Sequence, residues 1–335
     1  MRISNENPSD YNVPNKLAQE YLTRNEGLTL CSSSVESYDS NLTEYVTFLH
    51  ERDSSVINAE FTDVLDYVES CVRQGNRKGT ISGKISTVGE LYRYIRLRTE
   101  LGDELSLDPI RFREINLNRY NTPEAIKREA LSKEEIRRLF DAFDSARNRL
   151  MAIVAVETGI RNSDIRNLRV QDVSEDTLHV HDPKNSKPYD VPISEQLAFE
   201  IEFWLKHHRK GFAASADSEY IFPSQYGAKL ETNASLNSIV KDAAERAGIQ
   251  ETIGRSRLSA GQRDAWETTN EYREWHRVTV HTLRHSYITL LKKAGVSLPY
   301  RQLVANHTSA DTTRRYSHGN DDVFDSIRER FDPPR

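Results

Sequence analysis

The chain has 335 residues, which is enough to bury two separate hydrophobic cores. Its hydrophobic fraction of 37% and charged fraction of 29% are typical of a soluble globular protein, and no stretch approaches the roughly 18 apolar residues that a membrane-spanning helix needs. Only two cysteines are present, which excludes a disulfide framework and a cysteine-based zinc site. The polar N-terminus shows no secretory signal, so we expect a cytoplasmic protein.

The charge of the chain is unevenly distributed. The formal net charge is -5, but residues 1–75 alone hold 13 acidic side chains against five basic ones. The remainder is therefore slightly basic, and arginines recur along residues 77–98 and 255–315. Such a distribution permits contact with a polyanion without requiring it, because most charged runs are simply solvated faces.

Apolar periodicity predicts a small all-helical domain in the first 108 residues. A short helix is expected around 15–25 and a longer one over 34–51. Thr62 is predicted to be the N-cap of a third helix that Gly75 ends, and a fourth helix begins near Thr80. Periodicity fades over 109–130, where proline appears, so these residues are predicted to be a linker.

A second domain is predicted over 131–335, and it opens with a capping box formed by Ser132 and Glu135. An apolar run follows and stops at Thr158-Gly159. A helix closed by this glycine and followed at once by a new helix would hold Arg161 at a rigid junction, with Asp164 placed to orient it. Taken alone, Arg161 could equally be a surface residue paired with Asp164.

Residues 177–193 are predicted to form a β-hairpin, because apolar and polar residues alternate on both sides of a polar tip. Lys184 and Lys187 lie at this tip, and either ammonium group could donate a proton to a leaving oxygen. Further helices are expected over 195–207 and 232–247. The sequence thus predicts a mainly α protein with a small β-sheet.

The most informative pattern is the order of four residues near the C-terminus, namely His281, Arg284, His307 and Tyr316. A tyrosine preceded at fixed distances by two histidines and an arginine can attack a phosphodiester, with the cationic and imidazole groups handling charge and protons. The alternative is that Tyr316 is an ordinary buried aromatic residue, because the chain has 15 tyrosines. Only Tyr316 has this set of neighbours, so DNA strand cleavage is the leading hypothesis.

The chain resembles the phage integrase family of tyrosine recombinases. The segment Thr158-Gly159-Ile160-Arg161 is similar to that family's first arginine box, and His281-Thr282-Leu283-Arg284-His285 is similar to its second. Tyr316 follows His307 by nine residues, as the family's nucleophile does. Lys184 precedes Pro192 by eight residues and matches the hairpin lysine better than Lys187 does. One departure is Asn306, which stands where the family usually has glycine before the histidine.

The resemblance implies a role for each matched residue. Arg161 and Arg284 would hold the non-bridging phosphate oxygens, while His281 and His307 would supply hydrogen bonds and proton handling. Tyr316 would attack and form a 3'-phosphotyrosyl bond, and Lys184 would protonate the departing 5' oxygen. His285 is more simply a structural neighbour. No metal or other cofactor is expected in this scheme.

The resemblance also implies architecture and partners. It implies an N-terminal helical core-binding (SAM-like) domain and a mixed α+β catalytic domain, acting on a double-stranded DNA recombination site as a homo-oligomer, tetrameric in the synapse. A C-terminal helix around 321–331 carries apolar residues, and we expect it to dock onto a neighbouring protomer. Two alternatives stay open, a type IB topoisomerase and a catalytically silent DNA-binding protein of the same fold.

The segment 251–280 is polar and longer than a compact connection needs. It could be a DNA-contacting loop, a disordered insert or a helical elaboration, and the sequence does not decide among these.

Overall fold

The computed structural model describes residues 11–181, 187–212, 218–258, 263, 268–304 and 320–335. By the density of its internal contacts the chain divides into two compact units. The first comprises residues 1–126 with 255–274, and the second comprises 127–254 with 275–335. The predicted domain limits of 1–108 and 131–335 stay predictions.

The first unit is helical and has its own core. Its helices are α1 (Lys16–Asn25), α2 (Ser32–His50), α3 (Phe61–Arg73) and α4 (Lys78–Arg98). Tyr45, Tyr67 and Tyr92 are fully buried at the centre of this core, where the Tyr45 and Tyr92 hydroxyls lie 2.9 Å apart. Short 3-10 turns at Pro109–Glu114 and Leu117–Arg119 follow, and apolar side chains from them pack against the same core.

The prediction that Thr62 caps α3 was wrong. The helix begins at Phe61 because Glu60 and Asp63 form a capping box, in which the Glu60 backbone N–H donates to the Asp63 carboxylate at 2.8 Å. This reciprocal pair satisfies two backbone donors at the helix start. Gly75 follows the helix end with φ +78°, as predicted for a glycine that stops a helix.

The second unit is built around a central buried helix. It begins with α5 (Lys133–Asp141), α6 (Ala146–Thr158) and α7 (Asn162–Asn167), and α6 is buried on nearly every face from Leu150 onward. The predicted capping box at the start of α5 is confirmed, since Ser132 and Glu135 exchange hydrogen bonds of 2.9 and 3.1 Å. The helices α8 (Glu195–Phe203) and α9 (Asn233–Arg246) follow.

The predicted hairpin is present as two antiparallel strands, β1 (Thr177–Val180) and β2 (Tyr189–Pro192). Leu178 lies opposite Val191 in the register, and both side chains are buried. The alternation in the sequence therefore located the strands and their inward-facing residues.

A second two-stranded sheet lies in the segment that the sequence left undecided. Its strands are β3 (Thr252–Arg257) and β4 (Tyr272–His276), and most of their side chains are exposed or half-buried. The chain then enters α10 (Val280–Lys293) and α11 (Leu298–Val304). Half of the described residues of 251–280 thus lie in these two strands.

The last helix is α12 (Asn320–Arg330), close to the predicted 321–331. Its Val323, Phe324 and Ile327 are buried against Tyr287, Leu291, Val296 and Val304 of the same chain. The single chain therefore covers this apolar face itself, so burial of α12 does not by itself require a second protomer. No helix among the described residues is long and apolar enough to cross a membrane.

Candidate active site

Arg161 sits at the rigid junction that the sequence predicted. Gly159 ends α6 with φ +63°, a left-handed conformation that glycine adopts without strain. A Cβ atom at this position would lie 2.3 Å from Cδ1 of the buried Tyr287, so the site admits only glycine without rearrangement. Arg161 then serves as the N-cap residue of α7, and its backbone N–H donates to the Asp164 carboxylate at 3.2 Å. Asp164 orients Arg161 through the backbone.

Arg284 projects from α10 toward this junction. Its Nη1 donates to the carbonyl oxygen of Gly159, and only 6% of the residue is exposed. The helix start that carries it is firmly capped, since the Thr282 hydroxyl accepts from the Thr279 backbone N–H at 3.2 Å and donates to the Arg277 carbonyl at 2.5 Å. Arg284 is therefore held by both its helix and the Gly159 turn.

The two arginines influence each other electrostatically. Burial lowers the pKa of the Arg284 guanidinium from its ordinary value, and the positive charge of Arg161 lowers it further. Two neighbouring cations, one buried and one half-buried, favour an anion that neutralises both. Arg161 and Arg284 are 123 positions apart in the sequence, and the fold brings them together.

His281 precedes Arg284 by three residues, about one turn of α10, so the two lie on the same side of the helix. His281 is exposed, whereas Arg284 is buried. His285 is also exposed. Ser286 lies on the other side, where its hydroxyl accepts from the Leu131 backbone N–H at 2.8 Å and secures α10 to the start of the unit. The second arginine box therefore offers both His281 and Arg284 from one secured helix.

Three of the six predicted catalytic residues, Lys184, His307 and Tyr316, lie outside the described residues. Lys187, the weaker match for the hairpin lysine, is exposed just before β2. The predicted roles of all six residues stay predictions. Among the described ranges, no group of three or more His, Cys, Asp or Glu side chains is arranged to hold a metal ion.

One buried carboxylate near the site was not expected from the sequence. Glu157, in the last turn of α6, is 4% exposed and pairs with Arg335, which also donates to Glu200 at 2.8 Å. The Ser194 hydroxyl donates to Glu157 at 2.8 Å. Burial raises the pKa of Glu157 to about 7, although the Arg335 charge and the Ser194 hydrogen bond offset part of the shift. In the sequence, this buried carboxylate is indicated only by the position of Glu157, an acidic residue directly after the apolar run 151–156.

Glu157 should make stability depend on pH. Because its pKa rises from 4.5 to about 7 on folding, its contribution to stability is complete below pH 4.5 and is lost as pH rises through about 7. Replacing Glu157 with glutamine should remove this slope, a difference on the order of 3 kcal/mol across the window. Denaturant unfolding of both proteins from pH 4.5 to 7.5 measures it.

Glu202→Gln is the matched control, because Glu202 is 59% exposed and its ion-pair partner among the described residues is the neighbouring Lys206 on the same helical stretch. The free energy of unfolding of the Glu202→Gln protein, plotted against pH, should run parallel to that of the wild-type protein. If Glu157→Gln also ran parallel to the wild type, Glu157 would not be a carboxylate with a raised pKa.

The comparison with known proteins identifies the family. Residues 129–322 match the Phage integrase family model, and residues 19–99 match the Phage integrase, N-terminal SAM-like domain. The first match covers more than half of the chain. The chain therefore belongs to the phage integrase family, as its arginine and tyrosine boxes predicted.

Particular relatives agree with this assignment. Tyrosine recombinase XerD of Oceanobacillus iheyensis is 26% identical over 302 residues, covering 86% of this chain and 88% of the relative. Tyrosine recombinase XerC of the same organism is also 26% identical, covering 89% of this chain and 88% of the relative. Family and relatives make the chain a DNA-binding, tyrosine-type site-specific recombinase.

Solved structures share the fold. A lambda integrase dimer bound to a COC' core site covers 91% of this chain and 98% of its own, with a TM-score of 0.63 and 15% identity. XerH site-specific recombinase bound to difH substrate covers 95% of this chain and 90% of its own, with a TM-score of 0.58 and 20% identity. The prediction of a mainly α fold with a small β-sheet is confirmed, and the structure adds a second small sheet.

Proposed function

We propose that the chain cleaves and rejoins DNA strands through a covalent 3'-phosphotyrosyl intermediate. The observation that supports this most directly is the proximity of Arg161, at the start of α7, to Arg284, a buried residue of α10 whose guanidinium donates to the Gly159 carbonyl. A phosphodiester resists attack because its oxygens carry negative charge, and the transition state gathers more charge on the non-bridging pair. Two neighbouring guanidinium groups can neutralise that charge in the transition state.

The other predicted catalytic residues carry out the nucleophilic attack and the proton transfers. The Tyr316 hydroxyl oxygen forms a bond to phosphorus while the bond from phosphorus to the 5' oxygen breaks. The tyrosine proton passes to a nearby base, for which His281 and His307 are the candidates, and Lys184 gives a proton to the departing 5' oxygen. Attack by a 5' hydroxyl reverses the sequence and restores a phosphodiester, so no external energy source enters the balance.

A suicide DNA substrate tests this proposal. DNA flanking the gene is nicked just to the 3' side of each candidate cleavage position, so that the short fragment carrying the freed 5' hydroxyl diffuses away after cleavage and religation is blocked. We expect a protein–DNA adduct that survives denaturation and is removed by protease. A binding-only protein would retard the same DNA without forming any adduct.

The type IB topoisomerase alternative has a separate test. A topoisomerase would relax supercoiled plasmid that carries no recombination site, whereas a site-specific recombinase should need its site. Efficient relaxation of a site-free plasmid at the enzyme concentration that gives adducts would favour the topoisomerase.

We further propose that a double-stranded recombination site is bound by several copies of the chain, four of them in the synapse. A relative in fold, lambda integrase, has been solved as a tetramer bound to a Holliday junction, with a TM-score of 0.60 to this chain. On DNA, α12 would leave its own chain and dock on the neighbouring protomer. In the single chain the residues after α12 are held by the exposed ion pair of Lys133 with Asp332 at 2.7 Å and by the pair of Arg335 with the buried Glu157, and both pairs would have to be exchanged.

Crosslinking distinguishes the two positions of α12. In a background with Cys31 and Cys71 replaced by serine, cysteines at Lys133 and Asp332 are joined by a short bismaleimide. We expect links within one chain in the free protein and links between chains on DNA. If links stayed within one chain in an active DNA complex, the exchange of α12 would be excluded. The Lys133→Cys variant alone controls for random coupling.

A further inference from the structure

The buried arginine of α7, Arg166, holds the segment that precedes α9. Only 8% of the residue is exposed. Its Nη1 donates to the carbonyl oxygens of Leu230 and Glu231, each at 2.7 Å, and its Nη2 donates to Oδ1 of Asn233 at 3.0 Å. Its Nε donates to Oδ1 of Asn162, one turn back on α7, at 3.0 Å. Because the guanidinium is planar and rigid, these four hydrogen bonds fix the orientation of α7 against this segment.

The helix α7 is too short to hold its own position. It has six residues (Asn162–Asn167), fewer than two turns, and so short a helix depends on tertiary contacts for its stability. A second contact reinforces the first, since Nδ2 of Asn162 donates to the Asn233 carbonyl oxygen at 3.2 Å. Arg161 is the N-cap residue of this helix, so a rotation of α7 would carry the Arg161 side chain with it. Arg166 opposes that rotation.

The second arginine box is attached to the same helix, α9. Val280, the first residue of α10, is 2% exposed, and a backbone N–H at the start of a helix has no partner within that helix. The Val280 N–H instead donates to Oδ1 of Asn237 at 3.1 Å. Asn237 follows Asn233 by four residues on α9, so their side chains lie on one face, about 6 Å apart along the axis. Both boxes are thus attached to α9 within about one helical turn.

We propose that α9 sets the separation of the two arginine boxes, with Arg166 and Asn237 as positioning residues. Arg166 acts on Arg161 through α7, and Asn237 acts on Arg284 through the first turn of α10. The inference rests on the proposed function, in which both guanidinium groups neutralise the phosphate. The hydrogen bond from Arg284 to the Gly159 carbonyl fixes one point between the boxes, and the α9 contacts add two more. A misplacement of about 1 Å can cost about 100-fold in rate, so cleavage depends on all three contacts.

A substrate without charge on the reacting phosphorus group measures this role. The suicide substrate first locates the scissile phosphate, which is then replaced by a methylphosphonate, so that a methyl group takes the place of one non-bridging oxygen. An arginine that neutralises the phosphate contributes less to cleavage of this neutral substrate. We therefore expect Arg161→Ala to slow release of the strand with the 5' hydroxyl by at least about 100-fold on phosphate DNA. The same change should raise the ratio of the methylphosphonate rate to the phosphate rate.

Arg166→Leu and Asn237→Ala should show the same pattern more weakly. Each change should slow cleavage of phosphate DNA by about 10- to 100-fold and raise the rate ratio, since the lost rate is the part that depends on phosphate charge. Both rates are measured at saturating enzyme on one preparation, so an unfolded fraction of the protein cancels from the ratio. Arg166→Lys, which keeps the charge without the planar fork, is the second variant should leucine prevent folding.

Arg147→Leu is the matched control. The Arg147 side chain lies at the start of α6, where its Nη1 donates to the Pro223 carbonyl oxygen at 2.7 Å and its Nη2 to Oδ1 of Asn148 at 3.0 Å. As at Arg166, burial lowers the pKa of the guanidinium from its ordinary value. Gly159 closes the far end of this helix, about 18 Å away along its axis. The control should therefore keep the wild-type rate ratio, whatever stability the protein loses.

The rate ratio distinguishes the inference from the function on which it rests. Raised ratios in the Arg161, Arg166 and Asn237 variants, with a wild-type ratio in Arg147→Leu, support the inference. If Arg161→Ala raised the ratio and the Arg166 and Asn237 variants did not, the positioning role would be overturned while the proposed chemistry stood. A ratio raised equally in Arg147→Leu would also overturn that role. A wild-type ratio in Arg161→Ala would instead remove Arg161 as a phosphate-binding group, and the inference with it.

Discussion

Replacing Tyr316 with phenylalanine should abolish the covalent protein–DNA adduct while leaving DNA binding nearly unchanged. The proposed reaction bonds the phenolic oxygen to phosphorus, and phenylalanine lacks only that atom, so no adduct can form by this route. Binding depends mainly on contacts with phosphates and bases elsewhere. Adduct formation on a suicide substrate and gel retardation of the same DNA measure the two properties.

Tyr226→Phe is the control for this change, because Tyr226 is 93% exposed and lies in neither arginine box. It should form adducts at the normal rate. An adduct that persisted in Tyr316→Phe would identify a different nucleophile, which peptide mapping of the adduct would locate among the remaining tyrosines.

Replacing Arg284 with lysine should lower single-turnover cleavage by at least about 100-fold, the usual cost of losing one preorganised donor to a transition-state oxyanion. Lysine keeps the charge but not the planar fork, so it cannot donate to the Gly159 carbonyl and to phosphate in the same geometry. Rates at saturating enzyme, compared with retardation of the same DNA, separate loss of chemistry from loss of binding.

Arg149→Lys serves as the control. Arg149 lies on the central helix α6 and reaches only Glu200, at 3.8 Å, as its ion-pair partner. The Arg149→Lys protein should cleave DNA at the normal rate, with a small change in its melting temperature. If Arg284→Lys kept wild-type cleavage and folded stably, Arg284 would not contact the reacting phosphate.

The sequence predicted the elements whose signals are local. Ser132 and Glu135 form their capping box, and Gly159 ends α6 in a left-handed conformation, as expected. Leu178 and Val191 alternate with polar residues and pair in β1 and β2. These features depend on backbone hydrogen bonds and side-chain period within a few residues, which neighbouring positions largely determine.

The features that escaped prediction depend on distant partners. The strands β3 and β4 carry mostly polar, exposed side chains, so no apolar alternation revealed them. Glu157 and Arg335 are far apart in the chain and pair only because α12 folds back onto its own unit.

Tyr287 packs between two parts of the chain that have separate tasks. One edge of its ring fills the space that a side chain at Gly159 would need, and Phe331 meets the ring edge-on with centroids 5.3 Å apart. Departure of the C-terminal segment would leave a void beside the turn that holds Arg161 and Arg284. Any segment that replaces it must return an apolar group to that space, so support of the arginine turn requires an apolar side chain at position 331 or in its place.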